Sequence, residues 1–170
     1  MAVTETVAGG LRAETAGATH LLVRKPSAPA AGQYAVLAEL VARARTPVLM
    51  RGRVDFALAA AAAGVNLPEA DIGVRDARRL LGADRLLGRS VHSPAAAFEA
   101  GADGADFVLF GPIFETPTHP GSGVGLAALA EVVRAVGELP VIAIGGIDRG
   151  RGAACLEAGA AGYAAIRLFA

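Results

Sequence analysis

The residues of this chain best suited to chemistry lie in one segment, FGPIFETPTHPGSGVG, at residues 110–125. It holds the hydroxyl groups of Thr116 and Thr118 beside the imidazole of His119, which titrates near neutral pH and can transfer protons. An apolar run precedes the segment and a helical pattern follows it, and such a connection ordinarily needs about two to six residues. The extra length predicts a loop that handles a ligand. A solvated loop histidine is the alternative explanation of His119.

Further candidates follow other apolar runs. Gly145 and Gly146 end the run VIAI, where two glycines let a ligand approach the backbone closely, unless they only form a tight turn. Arg24 and Arg53 follow two earlier runs and are either site cations or surface charges. Asp71 either contacts a metal or caps the helix predicted after it.

The elements that position these residues form a regular series. Short apolar runs, typical of strands buried on both faces of a parallel sheet, alternate with Ala- and Leu-rich segments of helical period. The predicted strands are 20–24, 47–51, 64–67, 86–91, 105–111, 140–146 and 162–169. The predicted helices are 3–16, 32–45, 53–62, 72–82, 94–101, 126–137 and 149–158.

An internal repeat narrows the fold class. The segment EAGADGADFVLF at 99–110 is similar to EAGAAGYAAIRLF at 157–169, and one reused strand–helix unit favours a (β/α)8 barrel over residues 1–170 as a single domain. Only seven strands are recognised, so the pattern predicts a barrel lacking its first strand and last helix. Open strand edges invite pairing between chains, which predicts a homo-oligomer.

Composition excludes several classes of function. Hydrophobic residues make up 54% of the chain and charged residues 19%, which is enough to build a core. The formal net charge is zero and no basic stripe exists, which argues against nucleic-acid binding. No apolar run reaches the roughly 20 residues of a membrane span, and the start lacks a secretory pattern. We expect a cytoplasmic protein.

Three segments resemble one known family. RVDFALAAAAAGVNL at 53–67, the run from LLGRSVHS to THPG at 86–121, and VIAIGGI at 141–147 are similar to the thiamine phosphate synthase and thiazole tautomerase (TenI) superfamily. The resemblance implies a (β/α)8 barrel that handles a thiazole phosphate in thiamine biosynthesis. Synthases join it to a pyrimidine diphosphate with Mg²⁺ and release pyrophosphate. The tautomerase moves protons on a thiazole carboxylate phosphate without a metal.

The chain departs from the synthase pattern where the pyrimidine diphosphate and the metal are handled. Of the expected Gln-x-Arg-x-Lys only Arg24 remains, with Leu22 and Pro26 at the other two positions, and leucine cannot hydrogen-bond a pyrimidine edge. The expected Asn-Asp-Arg is Arg51-Gly52-Arg53. One metal carboxylate is therefore absent, and Asp71 matches the second.

Other positions of the pattern are matched in part. Ser90, which would face the diphosphate, and Thr116 and Thr118 match it, whereas His119 replaces a lysine and Arg167 replaces a serine. The half that binds the thiazole phosphate is better preserved, since Gly145 and Gly146 let backbone amides approach a phosphate and Arg167 could add a charge. The tautomerase pattern expects its catalytic histidine directly after Gly111, where this chain has Pro112.

These matches predict a TenI-like protein that binds a thiazole phosphate. His119 is the catalytic candidate and Asp71 a weak metal ligand, with Mg²⁺ required only for a synthase. The substrate-binding candidates are Arg24, Arg53, Ser90, Thr116, Thr118, Gly145, Gly146 and Arg167. An active thiamine phosphate synthase and a non-catalytic phosphate-binding barrel are the alternatives.

Overall fold

The computed structural model describes residues 1–116 and 121–169, and its centre is a parallel sheet of eight strands in chain order. The strands are β1 (Ala2–Thr4), β2 (Leu21–Val23), β3 (Val48–Arg51), β4 (Gly64–Leu67), β5 (Leu86–Val91), β6 (Phe107–Phe110), β7 (Val141–Ile144) and β8 (Gly162–Ala164). Each strand pairs in parallel with the next, so the (β/α)8 fold class predicted from the sequence is confirmed.

In the described parts of the chain, seven helices connect the strands. They are α1 (Val7–Thr15), α2 (Ala30–Arg43), α3 (Val54–Ala59), α4 (Val74–Leu81), α5 (Pro94–Ala102), α6 (Gly125–Val136) and α7 (Arg149–Glu157). Local chemistry sets several of the starts, because the side chains of Thr6, Ser93 and Asp148 accept hydrogen bonds from the free amides of α1, α5 and α7. None of the helices in the described ranges is long and apolar enough to cross a membrane.

The expected loss of the first strand is wrong. β1 is present, and it meets the other end of the sheet through a parallel bridge between Ala2 and Ala165. The amide of Val3 donates to the carbonyl of Ala165 at 2.9 Å. The sequence-based helix at 3–16 included this strand because only Glu5 and Thr6 separate β1 from α1, so no loop signal divides the two elements. The barrel therefore closes, which removes the open edges from which a homo-oligomer was predicted.

Two apolar layers hold the barrel together. The larger lies between the strands and the surrounding helices, with Leu37, Leu40 and Leu129 fully buried. The smaller fills the inside of the barrel and consists of Val3, Leu22, Leu49, Phe107, Leu109 and Ala164. The Phe107 ring lies over its register partner Gly88 on the neighbouring strand, where any Cβ would overlap it. This layer separates the carboxyl-terminal mouth of the barrel from a smaller cavity of about 280 Å³ at its other end, which Leu49 and Phe107 also line.

Candidate functional site

A cavity of about 760 Å³ opens at the carboxyl ends of β7 and β8. Its lining comes from residues 115–116, 144–151 and 164–168. Glu115 and Thr116, in the loop after β6, therefore meet the Gly145-Gly146 pair in one hollow, at the end of the barrel where this fold holds its ligands. We call this side of the mouth, formed by the loops after β6, β7 and β8, the glycine wall.

The glycine pair makes a turn that other residues could not make. Gly145 and Gly146 have φ values of 102° and 64°, in the region that favours glycine. A Cβ on Gly145 would lie 2.6 Å from the Cα of Pro112, and one on Gly146 would lie 2.7 Å from the carbonyl oxygen of Glu115. The loop after β6 thus rests directly on the turn, and glycine is required for that close approach.

The glycine turn also presents free hydrogen-bond donors. Within the described part of the chain, the amides of Gly146 and Ile147 donate to no residue. Arg151, in the first turn of α7, donates to the carbonyl of Gly146 at 2.8 Å, and its guanidinium lies 4.9 Å from the centre of the Phe114 ring. A turn with free amides beside a guanidinium is suited to a phosphate group.

Of the other predicted residues in the loops after β6 and β8, two line the cavity and two lie outside the described part of the chain. Thr116 and Arg167 both line the cavity, and the Arg167 side chain is exposed to solvent. Thr118 and the catalytic candidate His119 lie outside the described residues. Their roles stay predictions from the sequence.

A second group of polar side chains lies across the mouth from the glycine wall. Leu22 and Leu49 are register partners inside the barrel. Because side chains alternate along a strand, Arg24 and Arg51, two residues further on, also point inward. Arg51 is in turn the register partner of Asn66. These residues, together with Ser90 on β5, form what we call the arginine wall.

The two arginines of this wall act on each other electrostatically. Partial burial lowers the pKa of Arg51 below its usual value, the charge of Arg24 lowers it further, and the carboxylate of Asp71 acts in the opposite direction. Arg51 and Arg24 are both half-buried. Two partly desolvated cations that repel each other form a site that an anion would stabilise.

The Asn66 side chain of the arginine wall has a buried acceptor atom without a hydrogen-bond partner among the described residues. The side chain is 1% exposed, and its Nδ2 donates to the Ser90 hydroxyl at 2.9 Å. Its Oδ1 is buried and accepts no hydrogen bond in the described part of the chain. A buried acceptor without a partner is unfavourable, so the site suits a ligand or water that brings a donor.

Asp71 lies in a loop that hydrogen bonds to its own backbone hold in place. Its Oδ1 accepts from the amide of Ile72 at 2.8 Å, and Arg89 donates to the carbonyls of Glu69 and Ile72 at 2.7 Å each. Among the residues described, no three His, Cys, Asp or Glu side chains come close enough to hold a metal ion. A single carboxylate is the fewest that Mg²⁺ sites use, and the positive charge of Arg51 beside Asp71 opposes a second cation there.

The predicted cation Arg53 and the nearby His92 both contact acidic side chains in their own surroundings. Arg53 is a non-glycine residue with positive φ, its guanidinium donates to Asp55 through two nitrogens, and it lies 3.4 Å from the centre of the Phe56 ring. His92 contacts the Glu69 carboxylate through Nδ1 at 2.5 Å. Both pairs are exposed, and neither residue is among those that line the cavity of the glycine wall.

Sequence reasoning missed three members of the site. Arg51 stands at the asparagine position of the synthase pattern and no role is predicted for it from the sequence, although its inward position follows from the alternation in the strand. Asn66 was treated as part of an apolar strand. Arg151 gave no signal, because its contact with Gly146 depends on how the loop before α7 folds back.

The structure is thus a (β/α)8 barrel with a ligand-sized cavity at the carboxyl ends of its last two strands. The family profile described as thiamine monophosphate synthase matches residues 3–169. The chain belongs to this family, which confirms the resemblance and the prediction of an enzyme family.

Named relatives agree with this assignment. The chain is 40% identical over 155 residues to a thiamine-phosphate synthase of Roseiflexus castenholzii, covering 88% of this chain and 68% of the relative. It is 46% identical over 154 residues to that of Anaeromyxobacter dehalogenans, covering 88% and 69%. A solved thiamine phosphate pyrophosphorylase from Pyrococcus furiosus superposes with a TM-score of 0.87 at 31% identity, covering 97% of this chain and 83% of that one.

Proposed function

We propose that this chain is a thiamine phosphate synthase that joins a thiazole phosphate to a pyrimidine diphosphate and releases pyrophosphate. The observation that carries the proposal is the pair of walls across one barrel mouth, each suited to an anion. A synthase must hold two phosphorylated substrates at once, whereas a tautomerase needs only one phosphate site. This order reverses the sequence-based preference for a TenI-like protein, and the synthase names of the relatives support the reversal.

The glycine wall is proposed to bind the thiazole phosphate. The free amides of Gly146 and Ile147 would donate to its phosphate oxygens, and Arg167 would add a charge from the end of β8. Thr116 lines the same cavity and is proposed to contact the substrate there.

The arginine wall is proposed to bind the pyrimidine diphosphate. Arg24 would hold the diphosphate, and the Ser90 hydroxyl would contact it from β5. Leu22 is 2% exposed inside the barrel and cannot replace the glutamine of the synthase pattern. The unsatisfied Oδ1 of Asn66 is an acceptor that the amino group of a pyrimidine could fill.

The reaction is a transfer of the pyrimidine methylene carbon to the thiazole. A bond from that carbon to the ring forms as its bond to the diphosphate oxygen breaks, and the electron pair leaves with pyrophosphate. The protein contributes by holding the two substrates in contact and by stabilising the negative charge on the leaving group. His119 remains a sequence-based candidate for proton transfer.

A thiazole tautomerase is the second candidate, because the sequence departs from the synthase pattern at the pyrimidine positions. Pro112 argues against it. That position is where the tautomerase pattern expects the catalytic histidine, and the backbone there packs against Gly145. A non-catalytic phosphate binder is the third candidate.

One set of assays separates the three candidates. The purified protein is incubated with thiazole phosphate and pyrimidine diphosphate, with and without Mg²⁺, and thiamine phosphate is quantified by chromatography. We expect product above the background without protein. Proton exchange on a thiazole carboxylate phosphate that is lost in His119→Gln, with no thiamine phosphate formed, would instead establish the tautomerase. Thermal stabilisation by thiazole phosphate without either reaction would establish the binder.

A further inference from the structure

In the loop after β3, Gly52 stands where the synthase pattern has an aspartate, and this position lies beside Asp71. A Cβ on Gly52 would lie 3.1 Å from the Oδ2 of Asp71, so a side chain at position 52 would be directed at that carboxylate. Mg²⁺ is held in proteins by one or two carboxylates together with substrate phosphates and water. With glycine at position 52, Asp71 stands without a second carboxylate from this loop.

The residue that precedes Gly52 carries a positive charge. Arg51 precedes Gly52, points into the barrel mouth, and is close enough to Asp71 and Arg24 for both charges to affect its pKa. Arg24 and Arg51 each lie two residues beyond the paired inward residues Leu22 and Leu49, so their like charges face the same mouth, and an anion bound between them would relieve the repulsion. Guanidinium groups also match phosphate oxygens with paired donors.

We propose that the arginine wall binds a diphosphate group without a divalent metal, with Arg51 supplying the positive charge that Mg²⁺ supplies elsewhere in the family. The identity of the diphosphate as the pyrimidine substrate or the released pyrophosphate rests on the proposed function. Asp71 is then a positioning residue that orients Arg51 and partly neutralises it. The negative charge of the Asp71 carboxylate repels the bound anion and so weakens its binding.

The test is titration calorimetry with inorganic pyrophosphate in buffer containing EDTA. The wild-type chain binds, and Arg51→Gln weakens binding by about 10- to 100-fold, the loss expected for a charged hydrogen-bonding partner. Arg51→Lys retains part of the affinity because the charge remains. Arg12→Gln, which removes a charge from α1 outside the two walls, leaves the affinity unchanged.

Binding through Arg51 and binding through Mg²⁺ predict opposite effects of a substitution at Asp71 on pyrophosphate affinity. If Arg51 holds the diphosphate without a metal, Asp71→Asn keeps or strengthens pyrophosphate binding in EDTA, because a negative charge is removed from the site. If Asp71 were a metal ligand, pyrophosphate would bind only with Mg²⁺ and Asp71→Asn would abolish that binding. This second pattern would overturn the proposal.

Two further results would also overturn it. Equal binding by the wild type and Arg51→Gln would do so, provided that both give the same circular dichroism spectrum. Loss of pyrophosphate binding in Arg167→Gln but not in Arg51→Gln would place the anion in the glycine wall. The readout is separate from product formation, so a chain that binds pyrophosphate in EDTA without making thiamine phosphate would refute only the proposed function. A synthase that bound pyrophosphate only with Mg²⁺ would refute only the present inference.

Discussion

The two walls of the barrel mouth recognise anions by different means. The glycine wall uses the backbone, since the turn at Gly145 and Gly146 presents amides and leaves no room for a Cβ. The arginine wall uses side chains, with Arg24 and Arg51 carried on neighbouring strands. A backbone site persists as long as its glycines do, whereas a side-chain site changes with each substitution. The departures from the synthase pattern accordingly fall mainly on the arginine wall.

The largest expected effect is on the glycine wall. In Gly146→Ala the new Cβ meets the carbonyl oxygens of Glu115 and Phe114 at 2.7 and 2.8 Å in a positive-φ turn. We expect a loss of about 1–3 kcal/mol in unfolding free energy and at least about a 10-fold loss of thiazole phosphate affinity, which corresponds to one charged hydrogen bond. Chemical denaturation and calorimetry measure the two quantities.

Gly137→Ala is the matched control for that variant. Gly137 has a φ of 62°, close to that of Gly146, but nothing lies within 4 Å of its Cβ position. It should lose stability through backbone strain alone and keep its affinity for the thiazole phosphate. Equal loss of affinity in both variants would mean that strain, and not the shape of the turn, governs binding.

A reversal of the metal preference should follow from one substitution in the arginine wall. Gly52→Asp places a second carboxylate beside Asp71, and we expect Mg²⁺ to raise the Tm of this variant by about 2–4 °C for each kcal/mol of metal binding. Without Mg²⁺ the variant should be less stable than the wild type, because two carboxylates repel each other in a positive-φ turn. Gly52→Asn shares the backbone strain without the charge and should show no response to Mg²⁺.

A smaller effect is expected at the hydrogen bond that supports the arginine wall. Ser90→Ala leaves the buried Nδ2 of Asn66 without its acceptor, which should cost about 1–3 kcal/mol of unfolding free energy. Pyrophosphate binding should weaken less than in Arg51→Gln, since no charge is lost. Ser90→Thr keeps the hydroxyl and is the control. A larger loss of affinity than in Arg51→Gln would make Ser90 the main contact of the wall.

The smallest effect lies away from both walls and depends on pH. Glu14 accepts hydrogen bonds from the amides of Arg45 and Thr46, and its contacts with Thr46 are the main cause of a pKa below its usual value. Its contribution to stability is therefore complete above the ordinary glutamate pKa and is lost as pH falls through the lowered pKa. Glu14→Gln should have a lower Tm at neutral pH and approach the wild type in acid, with unchanged ligand binding. A Tm difference that did not shrink in acid would contradict this assignment.

The sequence predicted most of the barrel because seven of its strands lie in short apolar runs that helical segments separate. β2 to β8 all lie within predicted segments, and the loop at 110–116 and the glycine pair meet as expected. β1 was missed because no helical segment precedes it and only Glu5 and Thr6 separate it from α1, and with it the closure of the barrel was missed. The arginine wall was missed for another reason. Its site depends on the register between strands, which places Arg24, Arg51 and Asn66 side by side although they are distant in sequence.

The seam where the barrel closes has a consequence for the dynamics of the cavity. β8 meets β1 through Ala165, and Arg167 follows only two residues later on the rim of the hollow. A ligand that bridges the loops after β7 and β8 would therefore also restrain the joint between the first and last strands. Amide hydrogens there, including that of Val3, would exchange with solvent more slowly once the cavity is filled.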